Sequence, residues 1–341
     1  MNPDDPVVQA VREALAALPT DDAPVVVAVS GGADSTALLH ACAAVVPAAR
    51  LVACHVHHGL QAAADGFADH CAVLAHTLGV RFDLQRIEAR PGRGESVEAW
   101  AREHRYRVLA ACAQATGAWA VLTAHHADDQ AETLLIGLSR GSGPEGLSGM
   151  RAASDRNGVR LMRPFLALSR ACLRDYCTRH ALAVVDDPMN DDPTLLRSAL
   201  RRRVMPALVS AAPGFVASAA RSAGLLAEAA ELAREWAQVD LARAVDAGGV
   251  LWLSALATLS RARQANALRQ WLRERGAPVP SQARLAALLE QAFGSVSAHA
   301  LWGHAGWCVV RYRDSLQALS PQALWRPDRP GPSDWQGSWS C

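Results

Sequence analysis

The stretch that most constrains what this chain can fold into is Val25–Leu39, VVVAVSGGADSTALL. A β-branched apolar run of this kind is the pattern of a strand buried on both faces. It ends in Ser30-Gly31-Gly32, after which Asp34-Ser35 open a segment of helical composition. Glycines at a strand-to-helix turn let backbone N–H groups converge on an anion at the helix N-terminus. The chemistry is that of a phosphate cradle. It is not the Walker form, which needs Gly-Lys-Ser/Thr, because every one of the 34 Lys+Arg residues is arginine. The cradle also lacks the G-x-G-x-x-G of dinucleotide sites. A Gly-Gly turn alone is equally a tight connection between two elements. Ser-Gly-Gly-x-Asp-Ser offers more: two hydroxyls, two glycines for close backbone approach, and a carboxylate, Asp34, suited to hold magnesium among phosphates.

Periodicity organises the rest of the chain around that turn. Residues 6–18 read as an amphipathic helix, with Val7, Val8, Val11, Leu15 and Leu18 at helical spacing. Strands are expected over 25–29, 51–56, 82–87 and 120–124, with helices over 34–46, 64–78, 96–116 and 128–138. Strands alternating with helices at these intervals predict βαβ units, hence a Rossmann-like, mostly parallel sheet with helices on both faces. Ligands of such sheets lie beyond the carboxyl ends of the strands. Gly137–Gly146 is glycine-rich and reads as a flexible loop able to cover a substrate, and order resumes at Met162-Arg163-Pro164-Phe165. Ser169 caps a helix reaching His180, and Thr194 caps one carrying Arg197 and Arg201 a turn apart. Past Pro206 the composition changes to a long Ala/Leu/Glu/Arg helix ending near Ala247. Helices over 260–275 and 281–293 and three short strands over 299–302, 307–312 and 315–319 follow. The division expected is a catalytic α/β domain over 1–208, a smaller, mainly helical domain with a few short strands over 209–320, and a flexible tail over 321–341.

Composition excludes several classes. No run approaches the ~20 apolar residues of a membrane span, and the acidic start MNPDDP is unlike a signal peptide. A cytoplasmic protein without a membrane partner is the expectation. Eight cysteines are present, none of them in a C-x-x-C pair, so neither zinc nor an iron–sulfur cluster is expected. The balance of 34 basic and 33 acidic residues is near neutral, but twelve arginines against seven acids fall between Arg140 and Arg203. Such a block suits a polyanion through guanidinium–phosphate forks, although a solvated basic face has the same composition.

Three motifs fall at the ends of expected strands or on the helices between them. His55-Val56-His57-His58-Gly59-Leu60 is placed to line a nucleotide pocket, or to fill a loop with polar groups. Arg102 and Arg105 share a helical face, which by itself is the pattern of a solvated stripe. His125-His126-Ala127-Asp128-Asp129-Gln130-Ala131-Glu132-Thr133 is the strongest motif after the cradle. Acids at a helix start complement its dipole, which accounts for one aspartate. It does not account for two histidines, two aspartates and Glu132 together. Asp129 and Glu132 share a face and can hold a cation between them, either a metal or the ammonium of an amino substrate.

SGGADS resembles the pyrophosphate-binding loop of the N-type ATP pyrophosphatases, the PP-loop enzymes that cleave ATP to AMP and pyrophosphate. SGGADS, HVHHGL, AREHRY, HHADDQAET, a Gly-rich loop and RPF, in that order, resemble the bacterial tRNA(Ile)-lysidine synthetase family. The likeness returns in LSRARQANALRQWLRERG at 259–276. It implies an enzyme that joins free L-lysine to C2 of the wobble cytidine of a CAU-anticodon tRNA(Ile), with ATP as co-substrate and Mg2+ as cofactor. By the same resemblance Ser30, Gly31, Gly32, Ala33, Asp34 and Ser35 hold pyrophosphate, with Asp34 on the metal. His57 lies against the adenylate. Asp129 and Glu132 orient the lysine amine, Arg105 pairs with its carboxylate, and Arg197 and Arg201 bind tRNA or nucleotide. A homodimer is a further partner compatible with the family. Two departures, Met189-Asn190 for Ser-Asn and Ser198 for Asn after Arg197, bear on residues 186–201 alone. Many members carry another β-rich C-terminal domain, and this chain is expected to end after the first. The rival readings are a 2-thiolating PP-loop tRNA modifier, which needs paired cysteines, a small-molecule synthetase with the same loop, and a non-catalytic RNA-binding relative.

Overall fold

The computed structural model describes residues 4–19, 23–57, 59, 64–87, 92, 97–185, 196–294 and 300–321. Its first elements are α1 (Pro6–Ala14), β1 (Val25–Val29), α2 (Ala33–Val45), β2 (Leu51–His57), α3 (Ala64–Thr77), β3 (Arg81–Arg86), α4 (Val97–Thr116), β4 (Ala120–Leu122), α5 (Ala127–Ser139) and α6 (Pro144–Leu147). β5 (Ala153–Arg156), β6 (Val159–Met162) and α7 (Arg170–Arg179) complete a sheet of order β3-β2-β1-β4-β6-β5 and its cover. Every pairing in it is parallel except β5 with β6. The mostly parallel α/β architecture expected from the sequence is the one observed.

Alternation along β1 explains the double-sided cover. Val25, Val27 and Val29 enter a core with Val7 and Val11 of α1, Leu38 and Leu39 of α2, Cys71 and Ala75 of α3, and Leu173 and Tyr176 of α7. Val26 points the other way, to Tyr106, Leu109 and Cys112 of α4. Both faces of the strand are buried, so Val at every position is tolerated and polar residues are not.

Three local readings need correction. α1 stops at Ala14, with Leu15 as its C-cap, four residues short of the expected end. Residues 153–162 form a hairpin where the sequence reading placed no strand. Its turn is Asn157-Gly158, both at positive φ (52° and 75°), the geometry for which Asn-Gly is favoured. The glycine-rich segment is built, not open. Helix α5 runs on to Ser139, α6 follows at Pro144, and a Cβ on Gly137 would stand 2.9 Å from Leu147 Cδ2 and 3.1 Å from Gly146 O. Gln130 anchors the far end, donating to Met150 O at 2.8 Å and accepting from Met150 N–H at 2.6 Å.

Then come α8 (Leu196–Ala199), a π-helical turn over Leu200–Val204, α9 (Met205–Ala211) and α10 (Phe215–Ala244). The packing divides the chain into Met1–Ala227 and Glu228–Cys341, a boundary inside α10, whereas the composition changes near residue 208. In the second unit, β7 (Leu251–Trp252) and α11 (Ser254–Ala257) were not foreseen. α12 (Arg261–Glu274), α13 (Gln282–Phe293), β8 (Ala300–His304), β9 (Trp307–Tyr312) and β10 (Ser315–Leu319) lie close to their expected bounds. The sheet order is β7-β10-β9-β8, all antiparallel. Trp271, Leu268 and Leu272 of α12 and Leu285, Leu288 and Leu289 of α13 share its core with Val309 and Leu316. Among the described residues no single helix is long and apolar enough to cross a membrane. The turn cluster at 186–193, Thr194, His58, Leu60 and the tail beyond Pro321 lie outside the described residues.

Candidate active site

The two richest motifs leave neighbouring strands. β1 pairs with β4 through Val25↔Ala120, Val26↔Val121 and Val27↔Leu122, while β2 and β3 extend the sheet on the other side of β1. Strand order reverses between β1 and β4, and the carboxyl ends of strands at such a reversal form the ligand crevice of open α/β sheets. Ser30–Ser35 and His125–Glu132 both begin there.

The cradle is closed by its own hydroxyls. Ser35 Oγ accepts from Ser30 N–H at 3.0 Å, donates to Gly32 O at 3.1 Å and lies 3.1 Å from Ser30 Oγ. Gly31 has φ +86°, in the left-handed region, and a Cβ there would lie 3.3 Å from His70 Cδ2 of α3. Gly32 is the N-cap of α2 and brings no side-chain cap, which leaves that helix end to an anion. Val185 N–H donates to Gly31 O at 2.9 Å, and Cys177 Sγ donates to Ala33 O at 3.3 Å, so the loop is also held from outside.

His126, only 2% exposed, joins the cradle to the acids. Its Nε2 is 3.4 Å from Asp34 Oδ2 and 3.5 Å from Asp129 Oδ2. It also caps α5: Asp129 N–H donates to its Nδ1 at 3.4 Å, and its own N–H donates to Asp129 Oδ2 at 3.1 Å. Burial disfavours the imidazolium, but the Asp34 hydrogen bond and the charges of Asp129, Asp34 and Asp128 outweigh it and raise the pKa. For Asp129 burial acts upward, and the adjacent His126 and His125, a backbone hydrogen bond and Arg197 bring the net shift downward. His125, 2.9 Å from Thr123 Oγ1 through Nδ1, is pushed far down by burial, with Arg163, Arg102 and Arg197 adding to the effect against Asp129. Asp128 does something else: its Oδ2 accepts Arg170 N–H at 2.8 Å, at the start of α7. No residue pattern signals that cross-link, because Arg170 contributes its backbone N–H and not its side chain.

Glu132 is 1% exposed and fully engaged. Arg201 reaches it with two arms, Nε to Oε1 at 2.7 Å and Nη2 to Oε2 at 3.0 Å, and the same Nη2 is 3.3 Å from Asp129 Oδ1. Arg197 Nη2 donates to Thr133 Oγ1 at 2.8 Å, and its Nε lies 3.5 Å from Glu132 Oε2. The sequence leaves room for a cation between Asp129 and Glu132, and the family resemblance turns Arg197 and Arg201 toward tRNA or nucleotide. In the structure the two arginines face inward, and the cation between the acids is Arg201. Burying a carboxylate this deeply is costly unless it is paired, and Arg201 supplies the pairing.

His57 ends β2 at 8% exposure. Its Nδ1 accepts from Gly59 N–H at 3.2 Å, and its Nε2 is 3.2 Å from Asp65 Oδ1, out of line for a hydrogen bond. Arg105 lies on the exposed side of α4. Its charge helps lower the pKa of His55, after burial and against the hydrogen bond to Val29 O. Arg102 sits 5.4 Å over the Tyr106 ring. Arg163, which follows the unforeseen β6, is 6% exposed and donates to Arg151 O at 2.7 Å.

Asp34 Oδ1 is buried and has no hydrogen-bond partner. A hard anionic oxygen without a partner beside an anion loop fits Mg2+, which takes one or two carboxylates and completes its shell with phosphates and water. All seven described cysteines are free. Burial raises the thiols of Cys42, Cys71 (to about 12), Cys172 and Cys177 (to about 11), the opposite of what a sulfur carrier needs.

A family model described as a PP-loop domain matches residues 5–208, and one described as a TilS substrate binding domain matches residues 251–317. The chain is 46% identical over 319 residues to the tRNA(Ile)-lysidine synthase of Burkholderia pseudomallei, covering 91% of this chain and 64% of that protein. It is 45% identical over 314 residues to the tRNA(Ile)-lysidine synthase of Bordetella parapertussis, covering 88% and 90%. The chain therefore spans less than two thirds of the length of the Burkholderia relative and most of the Bordetella one. Among solved structures, the U34-tRNA thiolase NcsA from Methanococcus maripaludis, which carries a 4Fe–4S cluster, superposes with a TM-score of 0.56 at 15% identity. That match covers 65% of this chain and 78% of that chain and is a likeness of fold.

Proposed function

Because the chain belongs to the tRNA(Ile)-lysidine synthase family, we propose that it ligates free L-lysine to C2 of the wobble cytidine of a CAU-anticodon tRNA(Ile), using ATP. The observation that carries this reading is that Asp34 of the cradle and Asp129 of the acid pair meet on one buried imidazole, His126, at 3.4 and 3.5 Å. The phosphate end of a nucleotide and an amine held by the acids are thereby brought to one cleft.

A cytosine C2 carbonyl is a poor electrophile until its oxygen becomes a leaving group. In the first step that oxygen attacks the α-phosphorus of ATP and pyrophosphate departs into Ser30–Ser35, where backbone N–H groups and the α2 dipole take up its charge. Mg2+ held by Asp34 would supply charge neutralisation among the phosphates. In the second step the lysine ε-amine attacks C2, the C2–O bond breaks, AMP leaves with the oxygen, and the amine gives up a proton. The amine must be neutral to attack, so a carboxylate beside it orients it and accepts the proton. Asp129 and Glu132 supply that pair. Arg201 marks where a cation fits between them, and the lysine ammonium takes its place there, releasing the guanidinium toward nucleotide or tRNA phosphate. Arg197, Arg105 and His57 keep the roles of phosphate, lysine-carboxylate and adenylate contacts. A tRNA substrate goes with a cytoplasmic location.

The test is incorporation of radiolabelled lysine into a CAU-anticodon tRNA transcript with Mg·ATP. ATP-dependent label at the wobble cytidine is expected; no label with a folded preparation would remove the lysidine reading.

A further inference from the structure

We propose that His70 of α3 is a further pyrophosphate-binding residue of the cradle. His70 lies outside every motif singled out in the sequence, and its imidazole edge is packed on the loop. Its Cδ2 stands 3.3 Å from where a Cβ on Gly31 would be, nearer to that position than Cys71 Sγ at 3.6 Å. The ring nitrogen bonded to Cδ2 is Nε2, on the same edge. That Nε2 is buried and has no hydrogen-bond partner.

A buried polar atom without a partner costs free energy, and beside an anion loop the bound anion is a partner that recovers it. Among the described residues His57 Nε2 is the other imidazole nitrogen in this condition, and it faces the Asp65 carboxylate at 3.2 Å, whereas His70 Nε2 lies on the edge packed against Gly31. The groups beside the His70 edge belong to a loop whose glycine conformation admits close backbone approach, at a helix end without a side-chain cap. The ligand chemistry that satisfies both is an anion with several acceptor oxygens. An Nε2–H donated to a non-bridging phosphate oxygen adds one charge-assisted hydrogen bond to the departing pyrophosphate from the α3 side of the loop, a bond the Ser30 and Ser35 hydroxyls do not supply because they bond one another. The proposal rests on the cradle holding the phosphates of ATP.

The experiment is calorimetric titration of Mg·pyrophosphate and Mg·ATP into the whole chain carrying His70→Phe, His70→Asn or His70→Gln, beside the wild type. Phe keeps the flat packing on Gly31 and loses the donor. Asn places its amide near Nδ1, short of the Nε2 position, and Gln reaches it. Phe and Asn are expected to weaken pyrophosphate binding about ten- to a hundredfold, and Gln to stay within about threefold of wild type. In turnover the Asn variant is expected to raise the KM for ATP and leave the KM for lysine unchanged. If Phe misfolds, as its thermal unfolding would reveal, Asn against Gln decides. Wild-type affinity in the Asn variant overturns the proposal, as does equal loss in Asn and Gln, which would make the role one of packing. Failure of wild-type protein to bind pyrophosphate overturns it too. Failure of lysine incorporation alone, with the Asn–Gln difference in pyrophosphate binding intact, instead overturns the lysidine reading and leaves His70 in place.

Discussion

Asp34 has two unlike oxygens, one set against His126 and one buried without a partner, and its proposed task divides the same way. Asp34→Ala is expected to reduce tRNA-dependent pyrophosphate release at least about a hundredfold, the scale of losing one preorganised electrostatic contact; release at the original rate would take Asp34 out of the cradle. Gly31 is constrained by conformation more than by space. At φ +86° an L-residue pays roughly 1–2 kcal/mol, and its Cβ would press on His70, so Gly31→Ala is expected to lower both melting temperature and ATP affinity. His125 makes a pH prediction. Its folded pKa is depressed, chiefly by burial, so the unfolded chain takes up its proton first. Stability is unaffected above the unfolded pKa of about 6.5 and falls as pH drops below it toward the folded value. His125→Gln removes that titration, and its melting temperature should decline less between pH 6.5 and 4.5 than that of wild type; parallel curves would show that His125 is not held neutral.

At the scale of elements, the start of α5 separates two adjacent aspartates by what each one touches. Asp128 closes the first turn of α7 through Arg170 N–H, so Asp128→Ala is expected to cost about 0.5–2 kcal/mol, as lost caps do, with the KM for lysine unchanged. Urea unfolding and lysine titration check the two halves, and a large rise in that KM would assign Asp128 to the substrate. The Glu132–Arg201 pair spans from α5 to the π-helical turn, a form enriched at functional sites. Arg201→Met strands a buried carboxylate and should cost about 3–5 kcal/mol, whereas Arg201→Met with Glu132→Leu should recover most of that stability while losing lysine incorporation. Equal stability of the single and double variants would show that Glu132 without Arg201 carries no stranded-charge penalty. The alternating strands and helices of the first unit were legible because Val25–Val29, buried on both faces, and the helical repeats around it carry strong periodicity. The hairpin at 153–162 was missed although Asn157-Gly158 advertises it, since Ala-Ser-Asp-Arg has no apolar alternation. The facing of Arg197 and Arg201 was not legible at all. Nothing in LLRSALRRRV distinguishes a guanidinium that meets a carboxylate on α5 from one that meets solvent, because the partner is some 65 to 70 residues away in sequence.

The whole molecule places two kinds of arginine in one run. Arg197 and Arg201 turn in to Thr133, Glu132 and Asp129, while Arg202 and Arg203 are exposed. With net charge +1, the chain has no global attraction for a polyanion, so the proposed binding of tRNA rests on local basic surface. Each phosphate neutralised by an exposed arginine releases condensed counterions, giving a slope of log K against log salt of roughly −0.7 to −0.9 per contact. Arg202→Gln with Arg203→Gln is therefore expected to make the salt dependence of tRNA binding shallower by about one to two units in slope. The KM for lysine should be unaffected, because both side chains are exposed while Arg201 is the arginine that engages Asp129 and Glu132. Arg201→Met is expected to do the reverse, changing lysine kinetics with little change in slope, since in the resting structure its charge is already neutralised by the chain's own carboxylates. Filter binding of a CAU-anticodon tRNA across a salt series reads both. A slope unchanged by the double substitution, or one shifted equally by Arg201→Met, would show that the inward and outward arginines do not divide recognition from chemistry.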